Sequence, residues 1–156
     1  VRVDIQRQVD LAGIPDDDAL LRFAQAGLSG LDPTEITIRI VDEAEGRALN
    51  HQWRGKDSAT NVLSFPATVP EGLPADEIAD FLGDIVLCAP VIAAEAARSK
   101  RPLEQHWAHL IVHGVLHLRG FDHTQEPAAQ EMEDEERRLL AGIGISDPYA
   151  APADSD

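Results

Sequence analysis

Apolar and polar residues alternate along this chain with two different periods. Val1 to Ile5 switches at every residue, the period of a β-strand, and Val1 to Arg7 reads as one. Asp16, Asp17 and Asp18 then offer N-caps to a helix carrying Leu20, Leu21, Phe23, Ala24 and Leu28, which the Gly27 to Gly30 region ends. Glu35-Ile36-Thr37-Ile38-Arg39-Ile40-Val41 returns to period two and predicts a strand with one buried face. Asp42 opens a short helix through Trp53, and Asn61 to Phe65 reads as a third strand stopped by Pro66. Thr68 to Phe81 holds Pro70, Gly72 and Pro74 among acids and reads as a surface excursion.

The second half is more apolar. Gly83 to Cys88 predicts a strand inside a sheet. Pro90 can start a helix to Ser99. Pro102 can start another through Leu110, Ile111, Val115 and Leu116, with Gly120 as its left-handed stop. A last amphipathic helix runs from Glu126 to Leu140. Strands alternating with helices, then three helices in succession, predict an α/β fold of α+β-like sandwich character, with about four strands in a small mixed sheet and about five helices. One domain is expected over 1–149 and a flexible acidic tail over 150–156. Already from Gly142 the Asp, Ala and Pro content promises little packing, so Gly142 to Asp156 is expected to be loose.

Composition narrows the setting. The 156 residues are 44% hydrophobic and 26% charged, an ordinary globular balance that can bury one substantial core. No run of about 18 apolar residues occurs, so no membrane span is predicted. The amino terminus lacks a signal peptide's apolar stretch, and the single Cys88 cannot form an internal disulfide; a reducing cytoplasm is the expected location. A net charge of −15 argues against duplex DNA as a partner and restricts any nucleic-acid contact to a local basic site, such as Arg54/Lys56 or Arg98/Lys100/Arg101.

The chemistry lies in His113-Gly114-Val115-Leu116-His117-Leu118-Arg119-Gly120-Phe121-Asp122-His123. On a helix His113 and His117 project about 40° apart, so their rings can converge on one ion. Gly120 can turn the chain back and bring His123 to the same point. Three imidazoles suit zinc and leave a fourth position for a water, the arrangement of a catalytic site. A bare His-x-x-x-His is often coincidence, and His109 with His113 has the same spacing; the glycine and the third histidine select His113/His117. For His51, His106 and His109 a structural or outer-shell role is favoured. Metzincin proteases share the spacing, His-Glu-x-x-His-x-x-Gly-x-x-His, but place their base where this chain has Gly114, which argues against a standard protease.

Arg54 in Trp53-Arg54-Gly55-Lys56-Asp57 is either a phosphate grip or a surface ion pair on residue type alone. Asp122 can orient a ligand imidazole or cap the turn. Glu126 and the Glu131 to Glu136 cluster are expected on the solvated face of the last helix. Trp53 and Trp107 are expected as core or interfacial rings rather than base-stacking platforms, and Cys88 as packing.

The histidine segment, with Glu104-Gln105-His106-Trp107-Ala108-His109 upstream, resembles the signature of the YbeY family of bacterial endoribonucleases, or rRNA maturation factors. Leu49-Asn50, Arg54, Asp57, Thr60 and Val62 to Pro66 are similar to its second motif, Gly83-Asp84-Ile85 to its third, and Gly142-Ile143 to Pro148-Tyr149 to its ending. The resemblance covers Leu49 to Tyr149 well, and the first part of the chain mainly in its order of elements. It implies an α/β fold and one zinc per chain on His113, His117 and His123. It also implies a zinc-dependent, single-strand-specific endoribonuclease acting in 16S rRNA 3′-end maturation and ribosome quality control. Arg54 matches the family's functional arginine, which favours the phosphate contact. The implied partners are the 16S rRNA precursor and the small ribosomal subunit with its proteins. The alternatives are a ribosome-biogenesis binding factor with a structural zinc, or a metzincin-like hydrolase of another substrate. One departure stands out: Ala59-Thr60-Asn61 replaces the family's common Pro-Thr-Asp.

Overall fold

Isoleucine at every second position makes β2 (Glu35–Val41) two-faced. Ile36, Ile38 and Ile40 are fully buried on one side, while Thr37 and Arg39 face the other. The computed structural model describes residues 2–28, 34–67, 81–121 and 126–149. In it β2 lies within a four-stranded mixed sheet of order β1-β2-β4-β3. β1 (Arg2–Arg7) and β4 (Phe81–Cys88) flank β2 in parallel, and β3 (Val62–Pro66) pairs antiparallel with β4 at the edge. This is the α/β architecture expected, with five helices among the described residues.

Two expectations about strand limits need correction. Phe81 was assigned to the surface excursion, yet it opens β4 opposite Glu35. Residues 68–80 of that excursion lie outside the described residues. Pro66 ends β3 from inside, paired with Gly83, which an edge strand tolerates because proline needs no partner for an N–H it lacks.

The helices start where the sequence offers caps. Asp16 accepts the Ala19 amide at 2.8 Å to open α1 (Asp17–Gly27), and Asp42 accepts the Glu45 amide at 2.8 Å to open α2 (Glu43–Arg54). α3 (Ala89–Ser99) carries Pro90 in its first turn, where a missing N–H costs nothing. α4 (Leu103–Leu118) and α5 (Ala128–Ala141) follow.

α4 is the centre of the molecule. Trp107, Leu110, Ile111, Val112, Val115 and Leu116 join Leu20, Phe23, Ile38, Ile85, Met132 and Leu140 in one buried core. A smaller cluster of Val41, Leu63, Val86 and Cys88 sits on the other side of the sheet, closed by Leu49 of α2 and Val91 of α3. Cys88 is buried as expected for packing, and burial pushes its thiol above its ordinary value.

The stretch after α5 is not loose. Ile143 and Ile145 pack against the main core, the Ile145 amide bonds to Leu140 at 2.9 Å, and Arg137 meets Asp147 at 3.1 Å. The spaced isoleucines outweigh the polar composition around them. Residues 150–156, expected as a tail, lie outside the described residues.

Close packing brings α4 onto the sheet at Gly114. A Cβ there would stand 3.0 Å from Ile85 Cγ2 and 3.3 Å from Ser64 Oγ, and the Ser64 hydroxyl donates to the Gly114 carbonyl at 3.2 Å. Gly114→Ala is therefore expected to lift the helix and cost about 1–3 kcal/mol as overpacking. Urea unfolding reads this directly, and an unchanged midpoint would show that the helix has room to spare.

Candidate active site

Between Trp107 and Leu118, α4 leaves only His109, His113 and His117 less than fully buried. These positions fall one turn apart, so the helix presents a single polar stripe of imidazoles and hides everything else. His106 begins the same stripe and bonds Glu95 of α3 at 2.9 Å. His51, on α2, is exposed.

His113 is held from both sides. Its Nδ1 lies 2.6 Å from Glu136 Oε1, and its Nε2 lies 3.2 Å from Nε2 of His117. A carboxylate can only accept, so His113 donates its Nδ1–H to Glu136 and leaves the Nε2 lone pair free of a proton when the ring is neutral. Two nitrogens bound at about 2.0–2.1 Å to a tetrahedral ion stand roughly 3.3 Å apart. The separation of the two Nε2 atoms fits such an ion.

Glu136 corrects the sequence reading most. Placed with its neighbours on a solvated face, it is instead completely buried, on the inward side of α5. Its carboxylate accepts from His113, from His109 Nε2 at 2.9 Å, and from the Tyr149 hydroxyl. Burial pushes the carboxyl up, but the hydrogen bonds from His109, His113 and Tyr149 prevail and hold it at about 2. Burial, then the contact with Glu136, raises the Tyr149 phenol, so it remains a donor. Nothing in the local sequence separates Glu136 from Glu131, Glu133 and Glu135; only its position on the apolar stripe of Met132, Leu139 and Leu140 marks it.

The side-chain donors of His109, His113 and Glu136 lie within 4.8 Å of one another and could themselves hold a metal ion. An ion there would displace the hydrogen bonds that keep a buried carboxylate satisfied. The Nε2 face of His113 instead opens on a cleft. Just past the end of α4, Gly120 has a φ of +98° that lets the chain reverse, with the Phe121 amide returning to Leu116 at 3.0 Å. His123 and Asp122, expected beyond this turn as ligand and orienting acid, lie outside the described residues.

Arg54 reaches the same cleft from the last turn of α2. The cleft, about 620 Å³, is lined by Trp53, Arg54, the β3 edge, His113 and His117. Gly55, with φ +72°, ends α2, and the following loop is tied back by Arg47 to Asp57 at 2.7 and 2.8 Å and by Asn50 to the Ser58 carbonyl at 2.7 Å. The Arg47–Asp57 hydrogen bonds and charges hold that carboxyl below its ordinary range. Among the described residues Arg54 has no ion-pair partner, so the surface-pair alternative finds no support there.

Comparison with known proteins shows the family. The profile of the family described as Endoribonuclease YbeY matches residues 17–144. An Endoribonuclease YbeY of Pseudomonas putida is 53% identical over 153 residues, covering 96% of this chain and 94% of its own. One from Halorhodospira halophila is 59% identical over 74% of each chain. The chain belongs to the Endoribonuclease YbeY family. The solution structure of TM1509 from Thermotoga maritima shares the fold, with a TM-score of 0.59 at 20% identity over 95% of this chain and 99% of that one.

Two details of this YbeY chain follow from its own side chains. Asn61 donates its Nδ2–H to Glu95 Oε1 at 3.0 Å while its Oδ1 accepts the Val62 amide at 2.6 Å. An aspartate could not donate to Glu95, so the amide joins the start of β3 to α3 and, through His106, to α4. Trp53, expected in the core or an interface, is 63% exposed, because the largely polar α2 offers its ring no apolar bed. Trp107 is buried.

Removing the Glu136 carboxylate strands three inward donors, so Glu136→Ala is expected to cost about 3–5 kcal/mol. Its folded carboxyl lies at about 2, below the ordinary 4.5, so its contribution is complete above pH 4.5 and fades as pH falls towards 2. Glu136→Gln should flatten that part of the stability profile in urea unfolding. A parental slope in this variant would move the acid sensitivity elsewhere.

Proposed function

We propose that this YbeY-family chain is a zinc-dependent endoribonuclease that cuts single-stranded RNA. Its expected place is the cytoplasm, on the 16S rRNA precursor in 3′-end maturation and in ribosome quality control. The observation that carries the reading is the sharing of one cleft by Arg54 and the facing Nε2 atoms of His113 and His117. His123, three residues beyond the Gly120 turn, is the third ligand proposed for one zinc per chain. When bound, zinc supplies Lewis acidity to a phosphoryl oxygen and acidifies a water.

The chain's own residues do the rest. Glu136 accepts a hydrogen bond from the Nδ1–H of His113, which fixes the ring's orientation and makes Nε2 a better donor of electrons. His109 shares that carboxylate and steadies it from the preceding turn. Arg54 can meet two phosphate oxygens with parallel N–H bonds and offset the charge that builds on them. Asp122 is kept as a proposed orienting acid on its place beside His123. Peptide hydrolysis is disfavoured because Gly114, where a metzincin carries its glutamate, is pressed against Ile85. A purely structural zinc is disfavoured by the open cleft in front of the histidine pair.

The net charge of −15 leaves little attraction for free RNA, which supports small-subunit proteins as docking partners. Among the described residues no helix is long and apolar enough to cross a membrane.

Metal analysis combined with single-stranded RNA cleavage tests this reading. The purified protein should carry about one zinc, and His117→Ala should lose zinc and cleavage together. Arg54→Glu should keep zinc and lose cleavage by about a hundredfold or more. A His117→Ala variant that cleaves like the parent would point to a contaminating nuclease and sink the assignment, and a fully active Arg54→Glu would remove the arginine from it.

A further inference from the structure

Trp53 is the most exposed of the large apolar side chains among the described residues, at 63%, against 41% for Tyr149 and 37% for Leu11. Burying an indole is worth several kcal/mol, so one left in water beside a reactive cleft needs a reason. Its ring is not adrift. Trp53 meets Phe65 of β3 edge-on, with centroids 5.9 Å apart and planes at 66°, which holds the indole at the rim.

That rim separates two depressions. On one side lies the cleft with Arg54, His113 and His117. On the other, across Trp53, Phe65 and Pro66, a groove of about 490 Å³ runs over the sheet face turned away from α4. Leu49 and Val86 give the groove apolar walls, and Asp84 and Arg39 give it polar groups. The charge of Arg39 is spent locally, on Glu45 at 2.6 Å and on Gln6 at 3.0 Å. With Asp84 present the groove does not favour a phosphate. It suits a flat neutral ring that stacks on indole.

We infer that Trp53, braced by Phe65, is a stacking platform for an unpaired nucleobase of the RNA strand whose neighbouring phosphate lies at Arg54. The inference rests on the RNA-cleaving reading above and adds to it a base-binding subsite outside the metal cleft. Adjacency in sequence makes the two contacts one unit: the last turn of α2 presents a π-face to the base at Trp53 and, at the next residue, a cation to the backbone. Stacking accepts any base, so the platform selects single strands over duplex without selecting sequence. A double helix keeps its bases stacked on one another and could not use it. Of the two places expected for Trp53, core or interface, its exposure excludes the core, and the platform replaces the expectation that it would not stack on a base.

The test uses the full chain, short single-stranded RNA, and RNAs in which one nucleotide at a time is abasic. Because Trp107 is buried, quenching of tryptophan fluorescence on adding RNA reports Trp53. Trp53→Ala should raise KM and weaken RNA binding about 5- to 100-fold while kcat at saturating RNA stays near the parent's, and Trp53→Phe should recover most of the loss. One abasic position should weaken the parent by a similar factor and leave Trp53→Ala indifferent. This scan on the parent holds even if the alanine variant folds poorly. Parental KM in Trp53→Ala, or an abasic scan with no sensitive position, overturns the platform and leaves the nuclease reading standing. Quenching and abasic sensitivity without cleavage sink the nuclease reading and keep the platform. An absence of RNA binding sinks both.

Discussion

A carboxylate taken fully out of water must be met by donors, and the arrangement around Glu136 is organised to meet it. His109, His113 and Tyr149 come from two different parts of the chain to supply them. The carboxylate ties α5 to α4 and binds the closing segment to both. It also decides which nitrogen of His113 looks into the cleft. A single buried charge thus links the stability of the fold to the orientation of a candidate ligand, and neither can be altered alone.

The second constraint is steric. α4 is surrounded by apolar neighbours except along its histidine stripe, and Gly114 lets it press on β3 and β4. The histidines are therefore mounted on one of the least yielding elements of the molecule. Arg54 is placed differently, at the end of a polar helix whose loop is secured by Arg47–Asp57 and Asn50–Ser58. The cleft thus joins a histidine wall built into the core to an arginine-bearing wall at the end of a polar helix, each fixed by contacts of its own.

Much of this was legible in the residues, and the reasons for the rest are physical. Strands β1 and β2, the caps Asp16 and Asp42, and the Gly120 stop were readable because each is a local pattern acting within one turn or one pleat. The convergence of His113 and His117 was readable because helical spacing alone brings them together. Glu136 was not, since its partners lie far off in sequence and its acidic neighbours are indeed exposed or half-exposed. Core and interface could not be told apart for Trp53, because hydrophobicity predicts burial on average and cannot register that α2 lacks an apolar bed for it. The anchoring of Ile143 to Tyr149 was hidden by a composition typical of loose ends.

The position of β3 carries one more implication. Among the described residues it is the terminal strand of the sheet, and the unpaired side of such a strand is ordinarily an invitation to another polypeptide to add itself by backbone pairing. Here that open flank forms the bottom of the cleft, below the histidines on one side and the Trp53–Arg54 turn on the other. A second sheet would have to descend between these walls to reach it. Backbone pairing on this flank is thereby confined to a chain narrow enough to enter the recess, and Pro66, with no amide hydrogen to offer, shuts its end.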